Sequence, residues 1–459
     1  QNRLYLKHFA QLSEALSIET TGYYNNFHRN WFKLHSVNGN NLSEALAGAN
    51  GGADLAVLRG EAAGEFNVRA NNRDYYSWGV QVVPRYTFEW GQTTHEIELG
   101  IRLHNDRVRR FQSSVDFTQD ASGSLIDNTV NPDGSAGNRR QETYALALHL
   151  QDKISFGKWT VTPGVRVEHL EMDWTDYASD PTNTVTGSDE GSLTLLGGGV
   201  GLTYDWTEQF QLFGGVHRGF SPPGPRAFLR SDIEEETSIA LELGSRVQVP
   251  EHGFTAEVTG FYTHFDDLIA IDNIGGAGSV DGTAENVGEI RTGGIELFME
   301  YDPGVAYDWG FSMPNFVSFT YTNAELASDT GGDPESIFSG GVKGNKVPYI
   351  PEYQVTLGTG IEFKRFGVFI TGNFTDEQFA TASNTTEQAQ PDGTPDARFG
   401  VLDSRFIVDV SAYYQIHDQV RIIGGAHNVF DEEYIATRLP HGPRAGKPQY
   451  LYIGAEIQF

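Results

Sequence analysis

The stretch YLYIGAEIQF, residues 450–459, alternates strictly. Leu451, Ile453, Ala455, Ile457 and Phe459 occupy the odd positions, and Tyr450, Tyr452, Gly454, Glu456 and Gln458 the even ones. Successive side chains of a strand point to opposite faces, so this is a strand with one apolar face and one more polar face. Such a face can meet a second sheet or lipid. The remainder of the chain decides which.

The same period recurs. In HEIELGIRL (95–103), Ile97, Leu99, Ile101 and Leu103 oppose Glu96, Glu98 and Arg102. In KWTVTPGVRVE (158–168), Trp159, Val161, Val165 and Val167 oppose Thr160, Thr162, Arg166 and Glu168. GIELFMEY (294–301) and RFIVDVSAYYQI (405–416) repeat the pattern. About 17 segments read as strands. Short turns such as 205–209, 249–253 and 364–367 alternate with long polar stretches at 112–140, 173–191, 219–237, 271–288, 324–346 and 379–403. Short turns at one end and long loops at the other are the rhythm of a transmembrane antiparallel up-and-down β-barrel, with periplasmic turns and extracellular loops. Aromatics near strand ends, as in DYYSWG (74–79), FYTHF (261–265) and SAYYQI (411–416), fit interfacial girdles as well as plain strand preference.

Composition agrees. The chain has 459 residues and 39% hydrophobic content, with a mean hydropathy of −0.38. A soluble reading of that length needs two or three domains. No run approaches a transmembrane helix, but barrel strands need only alternate apolar positions. The 53 glycines and 12% aromatics suit many strands and tight turns. There is no cysteine, which excludes disulfides and thiolate metal sites. A net charge of −29 argues against nucleic acid as a partner. The opening QNRLYLKHFAQ has no basic region before an apolar run and is not a signal peptide.

Several stretches resemble the TonB-dependent outer-membrane receptors, and among them the ferric-dicitrate-receptor-like siderophore transporters. They are GGVHRGFSPPGP (214–225), EETSIALELG (235–244), FYTHFDDLI (261–269), NVGEIRTGGIE (286–296), GNKVPYIPEY (344–353), GAHNVFDEEY (425–434) and the final strand. They follow the family's order over residues 200–459. Residues 1–199 share its rhythm more than its motifs.

The resemblance implies several things. The full barrel would have about 22 strands, so residues 1–459 would be its C-terminal part, with the plug domain, its TonB box and the first strands upstream. Phe459 would be the outer-membrane assembly signal read by the barrel assembly machinery. The implied function is energised uptake of a ferric siderophore across the outer membrane of a Gram-negative bacterium, driven by the TonB-ExbB-ExbD complex through the plug. Outer-membrane lipid and lipopolysaccharide would surround the wall. Iron would be present only within the chelate, and no cofactor or resident metal is implied. Import of cobalamin, heme, a nickel chelate or an oligosaccharide remains open, as does a passive porin or surface adhesin.

No nucleophile elbow, HExxH or P-loop motif occurs, so no catalytic residue is expected. An anionic ferric chelate calls for convergent arginine at the extracellular mouth, because the guanidinium fork binds carboxylates bidentately. Arg218, Arg226 and Arg230, at and beyond HRGFSPP, and Arg438 and Arg444, in the last long loop, are the candidates. Arg102 and Arg166 point inward by parity, toward lumen glutamates or the plug. The acidic stretches 127–138 and 173–190 offer hard oxygen ligands for calcium, but match no EF-hand spacing and read as solvated loop.

Overall fold

A computed structural model describes residues 1–179, 182–231, 233–271, 284–330 and 336–458. Phe459 lies outside these residues, as do parts of the stretches 173–190, 271–288 and 324–346. Among the described residues the main sheet has 21 strands. Four short ones belong to extensions above the wall. The other seventeen form the wall. In chain order they are β1 (Asn2–Gln11), β2 (Leu16–Arg29), β3 (Arg73–Trp90), β4 (Thr93–Gln119), β5 (Gly137–Phe156), β6 (Trp159–Tyr177), β7 (Val185–Asp205), β8 (Phe210–Ser221) and β9 (Glu236–Val249). They continue with β10 (Phe254–Asp266), β11 (Ile290–Tyr301), β12 (Asn315–Leu326), β13 (Tyr353–Phe363), β14 (Phe366–Thr375), β15 (Arg405–His417), β16 (Val420–His427) and β17 (Tyr450–Ile457). Each pairs antiparallel with its neighbours in sequence, which makes the wall a meander.

The wall is inside-out relative to a soluble sheet. Leu99, Ile101 and Leu103 of β4, Leu146, Leu148 and Leu150 of β5, and Leu241 and Leu243 of β9 are all exposed. Their alternate neighbours are polar: Glu98 pairs with Arg85 across the lumen face at 2.6 Å, and Arg166 with Glu168 at 2.7 Å. An apolar outer band around a polar interior is what lipid requires. In β17, Leu451 and Ile453 are 79% and 83% exposed. Ile453→Arg should therefore cost about 2–4 kcal/mol near the midplane, whereas Arg at Glu456 should be far milder. Equal losses of folded barrel in a urea titration of the two variants would overturn this facing.

Two of the long-loop readings need correction. β4 runs to Gln119 and β5 begins at Gly137, so strand occupies much of 112–140. β6 and β7 stay paired up to Tyr177 and from Val185, so 173–190 is largely ladder. The reason is physical. Above the bilayer a strand's outer face meets water, so polar residues replace apolar ones and the period-2 signal fades while the hydrogen bonds continue.

The true connections still alternate. Short ones, such as 91–92, 157–158 and 418–419, lie at one end, and long ones, such as 222–235, 376–404 and 428–449, at the other. The long segment between β2 and β3, residues 30–72, carries strands Phe32–Val37 and Gly64–Ala70 and helices α1 (Leu42–Leu46) and α2 (Ala53–Leu58). Asn38 and Gly39 turn its hairpin with φ of 51° and 78°, the paired positive φ that favours Asn-Gly. Val37, Leu42 and Val57 form its small core.

Candidate functional site

The mouth is where the wall changes character. On the outer face of β4, Leu103 is followed by Asn105, Arg107 and Arg109, so the apolar band has ended at this height. Arg110 has the opposite parity to Leu99, Ile101 and Leu103 and faces the lumen. The ladder then sets four arginines side by side. Arg29 of β2 stands opposite Arg73 of β3, Arg73 opposite Arg110 of β4, and Arg110 opposite Arg139 of β5. Asp176 of β6 is next in line, opposite Arg139. With strands about 4.8 Å apart, the four arginines span roughly 15 Å.

Like charges directly opposite each other destabilise a sheet. The groups that Arg110 feels are Arg139, Arg73, Arg29 and Tyr75. Burial first, then Arg139 and Arg73, push its guanidinium down to about 9. The Nε atoms of Arg29, Arg73 and Arg110 are buried without a hydrogen-bond partner. Arg29 also lies over the rings of Trp31 at 4.6 Å and Tyr75 at 5.3 Å, which fixes its orientation. Buried donors and concentrated positive charge of this kind suit a multiply charged anion.

Helix α3 (Pro225–Ser231) closes one side. Arg226 and Arg230 both donate to Asp176 Oδ2, at 3.3 and 3.1 Å, and both lie within 6 Å of the Trp174 ring. The Arg226 backbone N–H donates to Gln141 Oε1 at 3.1 Å. A cavity of about 240 Å³ is lined by Arg110, Arg139, Gln141, Arg226 and Glu236. A second, of about 650 Å³, is lined by Arg139, Trp174, Asp176, Arg226 and Arg230. Arg139 and Arg226 border both.

The sequence candidates thus divide. Arg226 and Arg230 sit together beside the arginine row. Arg218 is exposed on the face of Val216, the outer face, and donates to the Leu196 carbonyl. Arg438 is 6% exposed and donates to the carbonyls of Val401, at 3.2 Å, and Ala397, at 3.4 Å, inside the packed loops. Burial lowers its affinity for a proton. Arg444 is exposed and pairs through its backbone with Thr437. Arg102 meets Tyr23 Oη at 2.8 Å rather than a glutamate. One His–carboxylate group among the described residues, His264, Asp266 and Glu289, brings its ligand atoms within 4.8 Å of one another. It lies on the outer face, two residues above exposed Tyr262.

Sequence reasoning missed Arg29, Arg73, Arg110 and Arg139. The trace was there in FHRN, NNRDYY, RVRRF and GNRRQ, an arginine near the long-loop end of each of four consecutive strands. The family motifs, by contrast, turn out to brace loops. Asn428 accepts from Glu432 N–H at 2.9 Å and donates to the Lys447 carbonyl at 3.0 Å, and Asp431 accepts from Gln449 N–H at 3.0 Å.

Residues 2–429 match the family model described as TonB dependent receptor-like, beta-barrel. The chain belongs to this family. Its wall is therefore that of an outer-membrane β-barrel. No helix among the described residues is long and apolar enough to cross a membrane, and the wall strands do the crossing. Among curated proteins it is similar to the metal-pseudopaline receptor CntO of Pseudomonas aeruginosa, 21% identical over 350 residues, covering 75% of this chain and 46% of CntO. Among solved structures it resembles the ferric citrate transporter FecA in the unliganded form, with TM-score 0.73 and 22% identity, covering 100% of this chain and 61% of that one. It also resembles the siderophore receptor PiuA of Acinetobacter baumannii, with TM-score 0.72 and 15% identity, covering 99% of this chain and 63% of that one. The chain thus spans less than two thirds of these relatives' length. The family is one of receptors and transporters rather than enzymes.

Proposed function

We propose that the receptor captures an anionic metal chelate, of the ferric-dicitrate kind, at the lumen arginine row, for TonB-energised import. The observation that supports this most is the row itself. Arg29, Arg73 and Arg110, in consecutive register with buried unpartnered Nε atoms and with Arg139 alongside, concentrate positive charge at the mouth that an anion would offset. The protein's overall charge of −29 repels anions at long range. That field is screened over about 8 Å at physiological salt, so the row governs at contact. Arg226 and Arg230 supply further donors from α3 once Asp176 yields them. The wall performs no chemistry. Energy would come from the TonB-ExbB-ExbD complex acting through a plug, as the family implies. The likeness to a metal-pseudopaline receptor favours a second reading of the same site, in which the chelated metal is not iron.

Calorimetric titration of the purified receptor with ferric dicitrate at pH 7 tests both the cargo class and the site. Absence of binding contradicts the cargo. Binding by Arg110→Gln as tight as the parent's contradicts the site.

A further inference from the structure

We propose that captured chelate leaves the mouth along one sector of the wall, through a glycine-floored furrow on the lumen face of β5 to β9. This rests on the import reading above.

The furrow shares β5 with the arginine row, lies toward the short-turn end of that strand, and runs from there across β6 to β9. Its floor is Gly164 of β6, Gly199 and Gly201 of β7 and Gly215 of β8. Gly164 stands directly opposite Gly199, and Gly201 opposite Gly215, so glycine faces glycine across three strands. Leu196, Val200 and Leu202 are exposed on the outer face, which by alternation turns Gly199 and Gly201 inward. His149, Arg166, His217 and Glu242 stand along the sides, and the space measures about 370 Å³.

Glycine weakens a strand, so a cluster of it marks either a wall too tight for side chains or a surface that something approaches closely. The two causes separate here. A Cβ at Gly199 would lie 2.4 Å from the Val216 carbonyl oxygen, so the wall itself demands that glycine. A Cβ at Gly201 would meet nothing within 4 Å, and one at Gly164 only ordinary contacts from 3.6 Å outward. Neither has a positive φ. Packing among the described residues therefore does not require these two glycines, and their missing side chains leave lumen space lined by hydrogen-bonding groups.

The furrow also has a top. Arg139 and His149 are ten residues apart on β5. Between their levels sit buried Ala145, Leu170, Met172 and Leu195, with Phe228 and Leu229 of α3 packed on them. One helix thus touches the anion site through Arg226 and Arg230 and seals the way down through Phe228 and Leu229. Anion competing for Arg226 and Arg230 would loosen their hold on Asp176, and with it the helix that forms the seal.

The test uses the absence of cysteine from this chain. In the intact receptor as its gene encodes it, Gly201→Cys is a small change in open space, and reaction with a bulky maleimide then fills the furrow after folding. Gly454→Cys of β17, lumen-facing on another part of the wall, is the positional control. Binding of iron-55 dicitrate to de-energised cells and its uptake by energised cells are measured for each. The furrow predicts that labelled Gly201→Cys binds within twofold of the parent but imports at least tenfold more slowly. Labelled Gly454→Cys should import normally, and unlabelled Gly201→Cys should import faster than its labelled form. Parental import by labelled Gly201→Cys, equal losses in both labelled variants, or failure of the maleimide to reach position 201 would overturn the furrow. No import by the parent receptor would instead overturn the cargo reading on which it rests.

Discussion

Replacing Arg110 and Arg139 together by alanine should raise the dissociation constant for ferric dicitrate about a hundredfold to a thousandfold. A hydrogen bond to a charged group is worth roughly 1.5–3 kcal/mol, and the two arginines are direct cross-strand neighbours, so their losses will not simply add. Arg110→Ala alone should keep the empty receptor's thermal midpoint or raise it, because it removes a charge that faces Arg73 and Arg139 across the ladder. That opposition between binding and stability separates a ligand site from a structural one. A variant that binds normally, or one that loses binding and stability together, would show that the row braces the wall instead of holding cargo.

The second large effect concerns the loops that shape the mouth. Asp396 and Arg398 form an ion pair that is 0% and 6% exposed. Asp396 accepts from Arg398 Nη2 at 2.7 Å, from its Nε at 3.2 Å, from its backbone N–H at 2.9 Å and from Gln390 at 3.2 Å. Between them in sequence, Ala397 N–H donates to the Ser43 carbonyl in α1, which ties the 376–404 connection to the 30–72 segment. Removing one member of a buried pair costs about 3–5 kcal/mol, because the hydrogen bonds and charge it supplied are lost where water cannot replace them. Asp396→Ala should therefore strip hydrogen-exchange protection from residues 380–402 and from α1 while leaving β4 and β5 as protected as before. Asp396→Asn, which keeps part of the hydrogen bonding, should fall between. Unchanged protection in Asp396→Ala would mean that the pair adds nothing to loop order.

The wall was legible in the sequence because lipid imposes a simple rule on it. Every second residue of HEIELGIRL or YLYIGAEIQF must be apolar, and that period survives in a single chain. Legibility ended where lipid ended. The upper parts of β4 to β7 face water on both sides, so Asp173, Thr175 and Ser188 read as loop although they sit in ladder. The 30–72 segment escaped notice because α1 and α2 are five and six residues long, too short to show a helical period. The arginine site failed for another reason. Arg226 and Arg230 are four residues apart and announced themselves, but Arg29, Arg73, Arg110 and Arg139 are scattered over more than a hundred positions. Only strand register brings them together, and register is a property of pairs of strands. Arg438 was singled out for its charge, yet its function in the structure is to satisfy two loop carbonyls.

The central claim is that positive charge fixed in the lumen selects an anionic chelate. It is tested most directly by titrating the purified intact receptor, at pH 7 and physiological salt, with ferric dicitrate and separately with an uncharged ferric hydroxamate. The arginine row predicts saturable binding of the dicitrate that weakens as salt rises, and at least a hundredfold weaker binding of the uncharged chelate. Equal affinity for the two, or a preference for the uncharged chelate, would contradict it.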